Sequence, residues 1–279
     1  LQWDFVEQWS RSGRLSTQAL KRFGAVGFAV DYRYGWDLKN PRHRRLLDEV
    51  HSMFSPKVTF SAPDCKLYSR ARRTTDQEKQ KAERESEVPM LNWLAAQCKR
   101  ICIAKRGYVI ENPWDSKIFM ITPLAGLRKN NGHREFRVDQ CQHGAVHPSN
   151  GSPIQKRTKF ASNVPLKHAA KRCHVGHKGK AHGSLEGKDR NTGLPCTALS
   201  AVYPAKLCHG IINDLERYLY QKEKPTEYLA HNFWKCRRCQ KGHVGGEHTY
   251  EKGCKFGPGG DMHHRLPAKE AEEDKKKKL

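Results

Sequence analysis

Two residues in this chain pair a nucleophile with a proton-holding acid. Cys65 closes the run Ser61-Ala62-Pro63-Asp64-Cys65, and Glu111 opens Glu111-Asn112-Pro113. Each follows an apolar, strand-like stretch, so each is expected where a buried strand meets solvent. A thiolate placed there can add to an electron-poor ring carbon while a carboxyl group binds the ring's polar edge. Two further strand ends suit a cofactor. The turn Trp9-Ser10-Arg11-Ser12-Gly13-Arg14-Leu15-Ser16 can present backbone N–H groups to it. Asp31 ends a second apolar run, at the position that commonly binds ribose hydroxyls. Plainer roles compete: Cys65 as a small core residue, Glu111 and Asp31 as caps of the turns that follow.

A second chemistry is metal binding. Cys236-Arg237-Arg238-Cys239 has the two-residue spacing of a zinc half-site, and His248 with Cys254 completes a C-x2-C-x8-H-x5-C pattern. His243 with His248 is the other way to complete it. The three-thiolate set is preferred, because thiolates are the stronger zinc ligands. Lys235, Arg237, Arg238 and Trp234 beside these ligands suit phosphate pairing and base stacking. Cys173, His177 and His182 form a looser set, with His174 nearby, and no second cysteine in reach along the sequence. Zinc binding is one reading of this set; the preferred one is a basic nucleic-acid-contacting loop in which Lys167, Lys171, Arg172, Lys178 and Lys180 meet phosphates.

Alternating strand and helix patterns must position these residues. Trp3 to Trp9, Ala25 to Asp31, Lys57 to Ala62 and Gly107 to Ile110 read as strands, the last running into Glu-Asn-Pro. Between them, Ser16 to Phe23 reads as a short helix with Ser16 as its N-cap, and Pro41 to Phe54 as an amphipathic helix. Thr74 to Arg106 reads as a long helical region that Pro89 is expected to break in two. Such alternation implies an α/β fold with a mostly parallel, doubly wound sheet, whose ligands bind at the carboxyl ends of the strands. Beyond Lys129 the pattern changes. Strand-like pieces at Phe136 to Cys141 and Thr158 to Ala161 are separated by polar loops, Lys167 to Arg190 is strongly basic, and Tyr203 to Tyr220 has one apolar helical face.

The 279 residues hold 52 Lys and Arg against 29 acidic residues, a net charge of +23, which points to a polyanionic partner and first to nucleic acid. Hydrophobic residues make up only 37%, so sizeable polar stretches are expected outside one real core. No window approaches about 18 uninterrupted apolar residues, so no membrane span is expected. No signal peptide is visible, and the chain, which opens on Leu1, reads as a fragment or cropped domain. The ten cysteines are spread unevenly and read as thiols and metal ligands rather than disulfides, which fits an intracellular setting, nuclear in a eukaryote.

The ordered motifs resemble one family. Phe60-Ser61-Ala62-Pro63-Asp64-Cys65-Lys66-Leu67-Tyr68-Ser69 looks like the Pro-Cys motif of cytosine-5 DNA methyltransferases, and Glu111-Asn112-Pro113 is similar to their Glu-Asn-Val motif. Phe5-Val6-Glu7 through Gly13 resembles their cofactor motif. Asp139-Gln140-Cys141-Gln142-His143-Gly144 and Lys156-Arg157-Thr158-Lys159-Phe160 resemble a divergent branch found in phages and retroelements. Ala201 through Cys208 looks like the late motif that returns to the cofactor pocket. The resemblance covers residues 3 to 215 and implies a Rossmann-like methyltransferase sheet. It also implies S-adenosylmethionine as cofactor and DNA as partner, with methyl transfer to C5 of a flipped cytosine. Cys65 would be the nucleophile and Glu111 the base-binding acid, with Trp9, Ser10, Gly13, Asp31 and Pro63 around the cofactor. The expected organisation is a catalytic core over 1–145, a basic target-recognition-like region over 146–200 and a core helix over 201–224. A zinc module over 230–258 and a charged, disordered tail over 259–279 follow.

This sequence departs from the family pattern at two places. Ser10 and Ser12 leave only Gly13 in a turn that normally holds two or three glycines, so side chains there are expected to crowd the cofactor. Asp64 replaces the proline before the catalytic cysteine and is expected to disfavour the thiolate. Both fit an alternative, a non-catalytic nucleic-acid-binding protein of mobile-element origin derived from the family. Arg11 and Arg14 are placed to grip a carboxylate or face phosphate. Arg137 reads as an ordinary strand-face arginine. Asn112-Pro113-Trp114 faintly resembles an amino-methyltransferase motif, a minor third option.

Overall fold

Unbroken apolar runs such as Phe5-Val6 and Val58-Thr59-Phe60 must be covered on both faces. The computed structural model of the chain buries every residue of both. It describes residues 2–69, 76–130, 132–174, 177, 180–189, 192–223, 233–235, 242–244 and 264–265. For 221–223 and the last three stretches only the backbone is described. The chain divides into two compact units, Leu1–Leu219 and Tyr220–Leu279.

The first unit is a mixed α/β fold on a five-stranded sheet. Its strands are β1 (Phe5–Gln8), β2 (Val58–Ser61), β3 (Gly107–Pro113), β4 (Arg134–Asp139) and β5 (Arg157–Ser162), in the order β1-β2-β3-β5-β4. β1, β2 and β3 pair in parallel, and β5 lies antiparallel between β3 and β4, so every strand but β5 points the same way. The run Ala25 to Asp31 is not a continuous strand. It meets the free edge of β1 through two parallel bridges, Phe5 with Val26 and Gln8 with Val30. Gly27 weakens it as a strand, yet the glycine is needed, because a Cβ there would come within 2.4 Å of the Trp3 ring.

Helices cover both faces. α1 (Arg14–Ala19) and α6 (Ala205–Glu223) pack on one side, where Leu15, Ala19, Leu207, Ile211 and Leu215 join Phe5, Phe60, Val109 and Phe160 in a single cluster. α3 (Gln77–Ile103) packs on the other, where Met90, Leu91, Leu94, Cys98 and Ile101 meet Tyr108, Ile110 and Ala161. α2 (Pro41–Phe54) brings Leu47 against Val30 and Leu38. α2 starts where expected, because the Asn40 side chain accepts the Arg42 N–H and Pro41 opens the helix. Two helix expectations are corrected. The N-cap of α1 is Gly13, not Ser16, whose N–H and hydroxyl both go to the Glu7 carboxylate. Pro89 does not break α3. It sits with Glu85 on the exposed side of the helix, while the turns beyond it are held by their buried face. Short α4 (Thr122–Ala125) and α5 (Cys196–Leu199) complete this unit. No helix among the described residues is long and apolar enough to cross a membrane.

In the second unit, β6 (Phe233–Lys235) pairs antiparallel with both β7 (Gly242–Val244) and β8 (His264–Arg265). Cys236, Arg237, Arg238, Cys239, His248 and Cys254, and the tail over 259–279 apart from β8, lie outside the described residues.

Candidate functional site

The carboxyl ends of β1, β2 and β3 lie side by side because their registers are parallel and in step. Ser61 opposes both Gln8 and Ile110. Cys65 and Glu111 therefore come from adjoining strand ends, and they line one cavity of about 60 Å3 together with Glu7, Trp9, Ser10, Arg11, Pro63, Lys156 and Tyr203. Asn112 fixes the two strand ends to each other. Its fully buried amide donates to the Pro63 carbonyl at 2.8 Å and to the Glu111 carbonyl at 3.0 Å. That engagement takes both amide hydrogens, so Asn112 is a scaffold here.

Lys156 arrives by a different route. Because β5 is reversed, its amino end lies beside the carboxyl end of β3, with Thr158 opposite Pro113. Lys156, just before β5, donates from Nζ to the Ser200 carbonyl at 2.8 Å and lines the cavity. Burial lowers its pKa, and the negative charges of Glu111 and Cys65 oppose that shift. Burial raises the Glu111 carboxyl, against the charges of Lys156 and Arg11 and a hydrogen bond from Tyr203. The Cys65 thiol is raised first by burial, then by Glu111 and only third by Asp64, with Arg11 and Lys156 pulling it down. The expected effect of Asp64 is thus present but minor. Its side chain is half exposed, stands 3.6 Å from the Arg11 guanidinium and accepts the Lys66 N–H. Glu7, which falls in the stretch resembling the cofactor motif but takes no role of its own from the sequence, is buried beside this cavity with its pKa raised to about 7 by burial, against the hydrogen bonds from Ser16. No periodicity or spacing singles out Glu7, Lys156 or Tyr203 as cavity residues.

The turn after β1 keeps a glycine-like path with few glycines. Trp9 (φ 54°), Arg11 (φ 47°) and Gly13 (φ 62°) are all left-handed. For the two side-chain-bearing residues this costs about 1–2 kcal/mol each. Trp9, Arg11 and Ala62 form the wall shared with a second, roomier cavity of about 530 Å3, which Asp31, Tyr32, Trp36 and Lys39 also line. Asp31 accepts the Arg11 N–H at 2.9 Å and the Arg33 N–H at 3.1 Å, so it caps the turn and faces the cavity at once. Gly13 lines neither cavity and serves as the helix cap. Ser10 does line the first, and its buried hydroxyl has no hydrogen-bond partner. Arg14 donates to the Tyr203 carbonyl at 2.7 Å, drawing the late motif over the site.

The looser cysteine–histidine set is changed most. Cys173, His177 and His182 converge with Cys141, which sits just past β4, and their four ligand atoms all lie within 4.8 Å of one another. Among the described residues this is the place that could hold a metal ion, and its donors suit zinc. Of the two readings of this set, metal binding gains the second cysteine it lacked, and the basic-loop reading stands beside it. The cysteine that completes the set comes from a distant strand end, and no local spacing announces it. Lys167, Lys171, Arg172 and Lys180 are exposed around the loop, while Lys178 lies outside the described residues. Arg137 forks onto Asp139 at 3.1 Å through both nitrogens, the strand-face role expected. The Trp114 ring lies under Lys159 Nζ at 4.8 Å, which gives it a packing role.

The fold and the site define a class: a mixed α/β chain with a strand-end cleft that joins a thiol, a buried carboxyl group and a larger cavity edged by an aspartate. In comparisons with known proteins, no family model matches the chain and no curated protein matches it.

Proposed function

We propose that the chain transfers a methyl group from S-adenosylmethionine to C5 of a cytosine in DNA, with the base rotated out of the duplex. One observation carries this reading. Cys65 and Glu111 line one cavity whose wall at Trp9, Arg11 and Ala62 is shared with a larger cavity edged by Asp31. The doubly wound, Rossmann-like reading of the sheet is part of the same proposal, since ligands of such sheets sit outside the carboxyl ends of the parallel strands. The larger cavity suits a nucleoside-sized cofactor. Its volume of about 530 Å3 is within the range of small-molecule sites. Trp36 and Tyr32 offer aromatic faces, and the neighbouring Ser10 hydroxyl is buried without a partner.

Held there, S-adenosylmethionine supplies an electrophilic methyl group. The Cys65 sulfur adds to C6 of the ring, and Glu111, whose burial favours the protonated form, bonds to N3 and the amino edge, leaving C5 electron-rich. Arg11 and Lys156 stabilise the thiolate against the burial that raises it and the charge of Asp64. Attack of C5 on the methyl group would release S-adenosylhomocysteine; water would then take the C5 proton, the C5–C6 double bond would re-form and the C6–S bond would break, returning the Cys65 thiolate. Lys167, Lys171, Arg172 and Lys180 meet backbone phosphates, which position the DNA without specifying its sequence.

The second reading is a non-catalytic nucleic-acid-binding protein of mobile-element origin. The raised Cys65 thiol and the two left-handed non-glycine residues in the cofactor turn favour it. A duplex containing 5-fluorocytosine, incubated with the protein and S-adenosylmethionine, separates the two. Fluorine cannot leave C5 as a proton does, so the methyltransferase reading expects a persistent covalent adduct that Cys65→Ser removes. Salt-sensitive DNA binding without an adduct, and with no calorimetric sign of S-adenosylmethionine, supports the second reading instead.

A further inference from the structure

We propose that Cys141, Cys173, His177 and His182 bind one structural zinc ion that clamps the basic segment between β5 and α5 onto the end of β4. Three observations carry this, none of which depends on methyl transfer.

The first is distance. Zinc with Zn–S of about 2.3 Å and Zn–N of about 2.1 Å in a tetrahedron sets sulfur and nitrogen about 3.6 Å apart. Cys173 Sγ lies 3.5 Å from His177 Nε2 and 3.6 Å from His182 Nε2. The two imidazoles stand nearly perpendicular, at 83° with centroids 5.1 Å apart, so they do not stack on each other. Four protein donors leave no open position, which is the mark of a structural rather than a catalytic zinc, and two sulfurs with two imidazoles select zinc over oxygen-seeking cations.

The second is a framework already built around the donors. Asp139 at the end of β4 is fully buried and receives both nitrogens of the Arg137 fork. It also accepts the Cys173 N–H at 2.8 Å across 34 positions of sequence. Its own N–H donates to the Lys171 carbonyl at 2.9 Å. The backbone carrying Cys173 is thereby fixed against the turn carrying Cys141, the outer support a metal site needs to hold its ligands in place.

The third is what the segment lacks. From residue 170 to residue 195 no described hydrophobic side chain is buried, and the core resumes only at Cys196. At its start the segment is held by Asp214 of α6, which accepts the backbone N–H groups of His168 and Ala169. Further on, the Gly183 N–H donates to the Pro153 carbonyl at 2.9 Å and Ser149 bonds to the buried Asp189, but around His177 no described apolar side chain is buried, so a metal would be what fixes that stretch. The ion would hold Lys171, Arg172 and Lys180 in one fixed array on the surface.

The full chain with Cys236→Ser, Cys239→Ser and Cys254→Ser, which removes the three distal thiols, tests this. Metal analysis is expected to give about one zinc per chain, and X-ray absorption a shell of two sulfurs and two nitrogens. In that background Cys173→Ser and His182→Ala should remove the zinc and expose the bonds after Lys171, Arg172 and Lys180 to trypsin. His182→Cys, which keeps a ligand, should retain the ion and the protection, separating loss of metal from loss of fold. Zinc retained by Cys173→Ser, a shell without sulfur, a different metal, or a Cys141–Cys173 disulfide in place of the ion would each overturn the proposal.

Discussion

Glu7→Gln should make the protein more stable, by an amount set by pH. Glu7 is 2% exposed, and one carboxylate oxygen accepts the Ser16 backbone N–H at 2.8 Å and the Ser16 hydroxyl at 2.5 Å. Even with those bonds, burial lifts the carboxyl from 4.5 to about 7. A folded acid raised in this way has a stability cost that is absent below its unfolded pKa. The cost grows as pH climbs and levels off above the folded pKa. At 1.36 kcal/mol per unit, it is about 1 kcal/mol near pH 5 and about 3 kcal/mol near pH 8. Glutamine keeps an oxygen for both Ser16 donors and never ionises. Urea titrations of the two proteins across this range should therefore diverge as pH rises and converge near pH 4, with unchanged slopes. A stability difference that does not vary with pH, or a native protein that gains on the variant between pH 5 and 8, would refute the assignment of Glu7 as a strained buried acid.

Three other outcomes follow from the same geometry. Asn112→Ala strips the Pro63 carbonyl of its buried donor and should lower stability by about 1–3 kcal/mol in denaturant titration, with faster proteolysis between Pro63 and Cys65. Alkylation of Cys65 should be slow at neutral pH because its thiol is raised. Asp64→Asn, removing a half-exposed and screened charge, should change the rate by no more than about threefold. Gly27→Ala drives a methyl group into a Trp3 ring already stacked on Phe54 at 4.4 Å, so a loss of about 1–3 kcal/mol is expected by calorimetry.

How far the sequence reveals this protein depends on whether a signal is local. α2 is legible end to end because its cap, its proline and its apolar spacing all fall within fifteen residues of one another. The strand ends carrying Cys65 and Glu111 are legible because buried parallel strands are apolar runs that stop at polar residues, and the structure sets them side by side. Pro89 misleads because a local helix-breaking rule loses to the buried face from Met90 to Ile101, which only the packed sheet supplies. Asp31 satisfies the plainer expectation by capping a turn, and it also edges a cavity. Cys141 is invisible as a partner of Cys173, because the strand pairing of β4 with β5 decides that they meet. Lys156 is hidden for a related reason: its place at the cleft follows from the reversed direction of β5 and from nothing in its own neighbourhood.

That reversed strand also orders events during folding. β3 and β4 are neighbours in sequence order yet do not pair with each other, and each waits for β5 to fill the gap between them. The closure is long-range: the Ser162 hydroxyl donates to the Tyr108 carbonyl across 54 positions. Until residues 157 to 162 have left the ribosome, the nascent sheet carries the two inner edges of β3 and β4 with their N–H and C=O groups unpaired. A chain stalled before that point would recruit a strand from a second copy in place of its own. Synthesis past β5 is thus the step that joins β3 and β4 into one continuous sheet.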